Sequence, residues 1–194
     1  MTAKKNPIRK KLAGLKAVLQ GKRRLLVVLQ DSPDPDALAS AAALKALVHH
    51  LAKIPCSITH RGEIGRGENR ALAQYLRLNM HQCDHIEFDR FDLIAMVDTQ
   101  PYTGNNGLPE DVLPDIVIDH HPCKRSTYRV PFHDVRGRYG AASTILYEYL
   151  QAAGIVPLPP LATALFYGIR SDTQDLGRDC IEADIQAGQA LFIL

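Results

Sequence analysis

Asp119, His120 and His121 stand together after the apolar run Ile116-Val117-Ile118, and Pro122 closes the stretch. One carboxylate and two imidazoles in a row can hold a metal, meet a phosphate or move a proton. A solvated turn after a strand would use the same residue types. The balance shifts because other apolar runs also finish in aspartates. Leu25–Leu29 opens into Asp34 and Asp36, Leu93–Val97 into Asp98, and Leu161–Ile169 into Asp172. If these runs are parallel strands and their helices, right-handed connections put their carboxyl ends on one edge. So many carboxylates in one crevice repel each other and resist desolvation. Divalent cations resolve that conflict. An oxygen-rich set with one or two imidazoles and no thiolate suits Mn²⁺ or Mg²⁺ better than structural Zn²⁺. The ligands exceed the need of one ion, so two ions sharing a carboxylate are expected. That arrangement serves in-line displacement at phosphorus, the hydrolysis of a phosphate ester or anhydride.

The elements that must carry these residues follow from the hydrophobic pattern. Residues 7–20 have helical spacing, with Gly21 as a stop, and Leu25–Leu29 reads as the first buried strand. Asp36 fits the N-cap of an alanine-rich helix from Ala37 to about Leu51. Asp34, on a loop stiffened by Pro33 and Pro35, has no such explanation. Cys56–His60 and Leu93–Val97 read as strands, Glu68–Leu78 as a short helix, and Tyr128–Phe132 as a further strand. His60, at a strand end, keeps a small place among the site candidates. Gly140–Thr144 opens a helix to about Ala153. Its small residues allow a phosphate to approach the helix start, or simply allow close packing. Leu161–Ile169 and Ile181–Leu194 are further helical patterns. The fold class expected is α/β, a three-layer, mostly parallel open sheet with helices on both faces.

Composition places the chain among ordinary globular proteins, with 194 residues, 46% hydrophobic and 23% charged. Cys56, Cys83, Cys123 and Cys180 form no C-x-x-C pair, which argues against a structural zinc site. No apolar stretch is long enough for a membrane span, and the amino terminus lacks a signal core, so a cytoplasmic location and no membrane partner are expected. Lys4, Lys5, Arg9, Lys10, Lys11, Lys16, Lys22, Arg23 and Arg24 crowd residues 1–30, which hold no acid. Nucleic acid or an acidic surface could meet such an arm, but the solvated face of an amphipathic helix explains it more simply.

The motifs together resemble the DHH phosphoesterase superfamily. Asp119-His120-His121 is similar to its signature tripeptide, and the stretch Pro33–Ser40 to its first motif. Val97-Asp98-Thr99 is similar to the second, and Gly168–Thr173 to the fourth. The resemblance implies that Asp34 binds a first metal ion and Asp36 a second, with Asp98 bridging. His120 and Asp172 complete the second site, His121 contacts the substrate phosphate, and Asp119 supports the histidines. Gln30 stands where the family's first motif has a metal-binding histidine. Its neutral amide oxygen is a poorer ligand, so either Asp31 turns in or the first site is weakened. Most members carry a smaller substrate-binding domain after this one. The expected organisation is therefore a basic helix over 1–24, a catalytic domain over 25–194, and a missing carboxyl-terminal domain that would cover Leu191–Leu194.

The function expected is Mn²⁺-dependent hydrolysis of phosphate esters of short nucleotides, such as oligoribonucleotides, pAp or cyclic dinucleotides. An inorganic polyphosphatase or pyrophosphatase is the second reading, and a catalytically weakened nucleotide-binding module the third. Arg136, Arg138 and Arg170 lie near motif positions as candidate phosphate clamps, or as plain surface arginines. A homodimer is left open.

Overall fold

The computed structural model describes residues 7–194. Lys4 and Lys5 of the basic run lie outside them. The chain forms α1 (Pro7–Leu19), β1 (Leu25–Val28), α2 (Pro35–Ala52), β2 (Cys56–His60), α3 (Gly67–Tyr75), β3 (Met80–Gln82), β4 (Leu93–Val97), β5 (Ile116–Asp119), β6 (Phe132–Val135), α4 (Ala142–Ala152), α5 (Pro159–Asp172) and α6 (Glu182–Phe192). The strands make one sheet in the order β3-β2-β1-β4-β5-β6, and every pairing is parallel. The α/β class and the open parallel sheet are those the hydrophobic pattern implies, with the α-helices gathered on one face and shorter 3-10 helices on the other.

β1, β4 and β5 are buried along their whole length, which is why they read as unbroken apolar runs rather than alternating ones. Leu25, Val27, Ala95, Val97, Ile116 and Ile118 belong to the large core shared with the α-helices. Leu26, Val28, Ile94, Met96 and Val117 point the other way. That second face is covered by 3-10 turns and loops instead of α-helices, with Phe88, Phe91, Leu108, Val112 and Leu113 packed on it. α1 buries Ile8, Leu12, Leu15 and Leu19, and its basic residues lie on the remaining positions. No helix among the described residues is long and apolar enough to cross a membrane.

The chain departs from the sequence pattern in four places. Tyr128–Phe132 is not a strand. Residues Arg125–Arg129 form a 3-10 turn, and β6 starts only after Pro131, which has no N–H for a ladder. β3 is a three-residue edge strand, half-buried or exposed, with no apolar run to announce it. α3 stops at Tyr75, and Arg77 turns left-handed at φ 50°. α5 is longer at both ends than its apolar stretch, so Asp172 is its last residue rather than the start of a loop.

Neighbouring strands β1 and β4 are joined through connections that run in opposite directions across the sheet, so a crevice opens at their carboxyl ends. α2, α4 and α5 close over that edge. Gly168 of α5 makes the closeness possible. A Cβ there would lie 2.6 Å from Ser143 Oγ and 3.1 Å from the Asp36 backbone. Asp184 of α6 is buried and ties the same corner together. It accepts from Gly140 N, Ile181 N and the Thr144 hydroxyl.

Candidate metal centre

Asp34 and Asp36 exchange the roles that the sequence suggests for them. α2 begins at Pro35, a residue suited to the first helical position. Asp34 is therefore the N-cap, and its Oδ1 accepts from Ala37 N at 2.9 Å. Asp36 is freed from capping α2 and is fully buried against the start of α4. Its Oδ2 accepts from Ala142 N at 2.7 Å and its Oδ1 from Ser143 N at 2.8 Å. The open helix start considered for phosphate is thus already filled by a carboxylate of this chain.

Asp98 follows β4 directly and has a left-handed backbone, φ 57°, unusual for a residue with a side chain. It is buried, and its Oδ1 makes no hydrogen bond. His120 follows β5. Its Nδ1 lies 3.1 Å from the Tyr139 carbonyl, an acceptor only, so that nitrogen carries the proton. Nε2 is then left with a lone pair, buried and without a hydrogen bond. Nε2 is 3.3 Å from Asp98 Oδ1, 3.1 Å from Asp172 Oδ2 and 3.9 Å from Asp36 Oδ2. Asp36, Asp98, His120 and Asp172 each offer a ligand atom, all within 4.8 Å of one another, and Asp98, His120 and His121 form an overlapping group.

Without a cation this cluster is electrostatically costly. Burial, then the charges of Asp172 and Asp34, push the Asp36 carboxyl up to about 7. Burial and the Asp36 charge push Asp98 well above the carboxylate range. Burial also raises Asp34. Burial opposes the charged form of His120, but the Asp172, Asp98 and Asp36 carboxylates around Nε2 outweigh it and lift the imidazole to about 12, so without a cation a proton takes the lone pair that a metal would use. Two buried atoms with unused lone pairs, ringed by carboxylates that cannot all ionise, suit a hard divalent cation.

Asp119 lies behind the histidines. Its Oδ1 accepts from His120 N at 2.8 Å and pairs with His121 Nδ1 at 2.9 Å. Burial would raise Asp119, yet the His121 contact and the Gln100 amide hold it low. His121 is raised by that same hydrogen bond, and its side chain is 52% exposed. Gln100 is the residue that sequence reasoning missed. It is buried, and its Nε2 donates to Asp119 Oδ2 at 2.6 Å and to the Pro122 carbonyl at 3.2 Å. Its Oε1 accepts from Lys124 N and from the Thr127 hydroxyl. A polar residue two places beyond Asp98 was the sole hint. Gln100→Leu leaves Asp119 Oδ2 buried and unpaired and frees the histidine loop. Divalent-cation affinity, measured by titration calorimetry, is expected to fall about tenfold or more, as for other residues that orient metal ligands.

The remaining candidates separate. Gln30 Nε2 donates to Asp34 Oδ2 at 3.0 Å and lies 3.5 Å from Asp98 Oδ2. Asp31 does not turn into the cluster, because Arg61 holds it at 2.6 Å. Arg136 is not free to clamp a phosphate. Its guanidinium is engaged by Asp134 at 2.7 Å and Glu148 at 2.5 Å. Arg170 pairs with Asp175 at 2.5 Å and lies over the Phe166 ring. Arg138 is exposed and without an ion-pair partner among the described residues, on the loop that carries the Tyr139 carbonyl. His60 is buried at the end of β2, outside both ligand groups.

The uncharacterized protein MJ1633 of Methanocaldococcus jannaschii is 37% identical over 201 residues, an overlap covering 95% of this chain and 41% of that protein. The chain thus spans about two fifths of the length of the curated relative it matches. An exopolyphosphatase-related protein from Bacteroides fragilis shares the fold, at TM-score 0.66 and 13% identity, over 95% of this chain and 56% of that one. RecJ from Thermus thermophilus, solved in complex with Mn²⁺, is similar at TM-score 0.44 and 18% identity, over 94% of this chain and 26% of that one. The model of the DHH family, N-terminal domain, matches residues 24–169, most of the chain, and this protein belongs to that family.

Proposed function

We propose that the chain carries the catalytic cluster of a metal-dependent phosphoesterase acting on short nucleotides: oligoribonucleotides, pAp or cyclic dinucleotides. The observation that carries this reading is the pair of buried, unpartnered ligand atoms, Asp98 Oδ1 and His120 Nε2, beside Asp36 and Asp172. A divalent cation bound there, Mn²⁺ or Mg²⁺, supplies Lewis acidity that lowers the pKa of water and neutralises phosphoryl charge. The chain's own residues do the rest. Asp36 is held rigid by two backbone N–H groups. The Tyr139 carbonyl fixes the His120 tautomer. Asp119 orients His121, whose other nitrogen faces outward to donate to a phosphoryl oxygen.

Two features favour a nucleotide ester over polyphosphate. Arg61, Arg136 and Arg170 are all paired with carboxylates, so these three guanidiniums add no free positive charge for a polyanion. Tyr102, on the loop after Asp98, presents an exposed ring on which a base can stack. The catalytic domain is proposed to span 25–194, with α1 as a helix leading into it.

The test is turnover of pAp, a ribodinucleotide, a cyclic dinucleotide, pyrophosphate and polyphosphate, each with Mn²⁺ and with chelator. Hydrolysis of a nucleotide ester that chelation abolishes is the expected result. Turnover confined to pyrophosphate or polyphosphate replaces it with the inorganic reading. Nucleotide binding without turnover makes the chain a binding module.

A further inference from the structure

We propose that this chain holds one divalent cation, not two, because the Gln30 amide already occupies the place between Asp34 and Asp98. The inference rests on the reading of Asp36, Asp98, His120 and Asp172 as a cation site and deepens it. Gln30 Nε2 lies 3.0 Å from Asp34 Oδ2 and 3.5 Å from Asp98 Oδ2. Carboxylates only accept, so the nitrogen must be the atom that faces them, and the amide's two N–H bonds are both spent there. The amide oxygen, its one possible ligand atom, is turned away. Asp34's other oxygen, Oδ1, accepts from Ala37 N at 2.9 Å. Both Asp34 oxygens are therefore in use, and Asp34 belongs to neither group of potential ligands. Asp31, the nearest substitute, is held by Arg61. Among the described residues, the buried ligand atoms of the cluster that lack a hydrogen bond lie on the other side, at Asp98 Oδ1 and His120 Nε2.

The charges agree with one ion. Asp34 caps the amino terminus of α2, and Asp36 sits on that of α4. Each helix start offers a partial positive charge of about half a unit. Those two carboxylates are thus partly offset by backbone. Asp98 and Asp172 have no helix start to offset them, and a single doubly charged cation matches their two charges.

The experiment titrates the chelator-stripped chain with Mn²⁺ by calorimetry. It also measures metal content after gel filtration and records the EPR spectrum at saturation. The expected result is one Mn²⁺ per chain with an uncoupled spectrum, and two per chain in Gln30→His, which exchanges the blocking donor for a ligand. Two ions in the unaltered chain overturn the proposal. One ion in a folded Gln30→His overturns the amide as its cause. No ion at all sinks the underlying reading of the cluster instead. Should Gln30→His fail to fold, Asp34→Asn decides, since asparagine keeps the cap. Mn²⁺ affinity staying within about threefold supports the proposal, while a loss of about tenfold or more, the level expected of Asp172→Asn, overturns it.

Discussion

Asp98→Asn is expected to stabilise the metal-free protein while removing its activity. Asp98 is buried, and its carboxyl is raised by burial and by the Asp36 charge. A neutral amide of the same shape relieves both. Asparagine also tolerates the left-handed φ of 57° better than most residues. The gain is expected at about 1–2 kcal/mol, which for a chain of this size raises the melting temperature by about 2–4 °C per kcal/mol. Divalent cation reverses the order. The unaltered chain gains about 2.7 kcal/mol at a cation concentration a hundred times its Kd, and the variant gains little. Turnover falls on the order of 10³-fold, as when a main electrostatic contact of a transition state is lost. Thermal melts with and without Mn²⁺, beside a rate assay, read all three. A metal-free melting temperature that falls, or one that rises equally with Mn²⁺ in both proteins, contradicts this account.

Arg136→Met is expected to damage the fold, not the chemistry. Arg136 joins Asp134 of β6 to Glu148 of α4, and the Tyr149 hydroxyl adds a bond to Asp134 at 2.8 Å. Lys11 of α1 reaches the same carboxylate at 3.4 Å. Removing the guanidinium leaves a carboxylate that is almost wholly buried, at a cost of about 3–5 kcal/mol in urea unfolding. A double variant, Asp134→Leu with Arg136→Met, is expected to regain most of that. The pH dependence has a definite sign. Burial pushes Asp134 up, but the Arg136 bonds and charge, Tyr149 and Lys11 together hold it below its ordinary value. A depressed carboxylate contributes stability above its unfolded pKa of about 3.9 and loses it as pH falls through the folded value. The gap in urea midpoint between the unaltered chain and Asp134→Asn is therefore wide at pH 7 and narrow near pH 2. A loss of turnover in Arg136→Met at temperatures where it stays folded would return this residue to the substrate.

Much of the fold could be read in the sequence because β1, β4 and β5 are buried on both faces and hence continuous in hydrophobicity. The acidic residues stood out because each follows such a run. What escaped was set by distant partners. Whether Asp34 or Asp36 caps α2 depends on where α4 arrives, since Asp36 meets Ala142 across 106 positions. Arg136 looked available until β6 and α4 brought Asp134 and Glu148 around it. β3 has no signal of its own, being a three-residue edge strand that His60 and its neighbours pair with. Gln100 carries an ordinary polar side chain whose importance lies wholly in the four groups it joins.

Gly168 has a consequence beyond packing. α5 carries Asp172, α2 carries Asp36, and α4 anchors Asp36 by its first N–H groups, and the missing side chain at Gly168 lets α5 come down on the Asp36 backbone and the Ser143 hydroxyl. The spacing between two carboxylates is thereby inherited from a close approach of α5 to the α2 backbone, a stiffer gauge than a contact between two long side chains. Drift on the outer surface of α5 leaves that gauge untouched, while a single added methyl at its inner contact resets it.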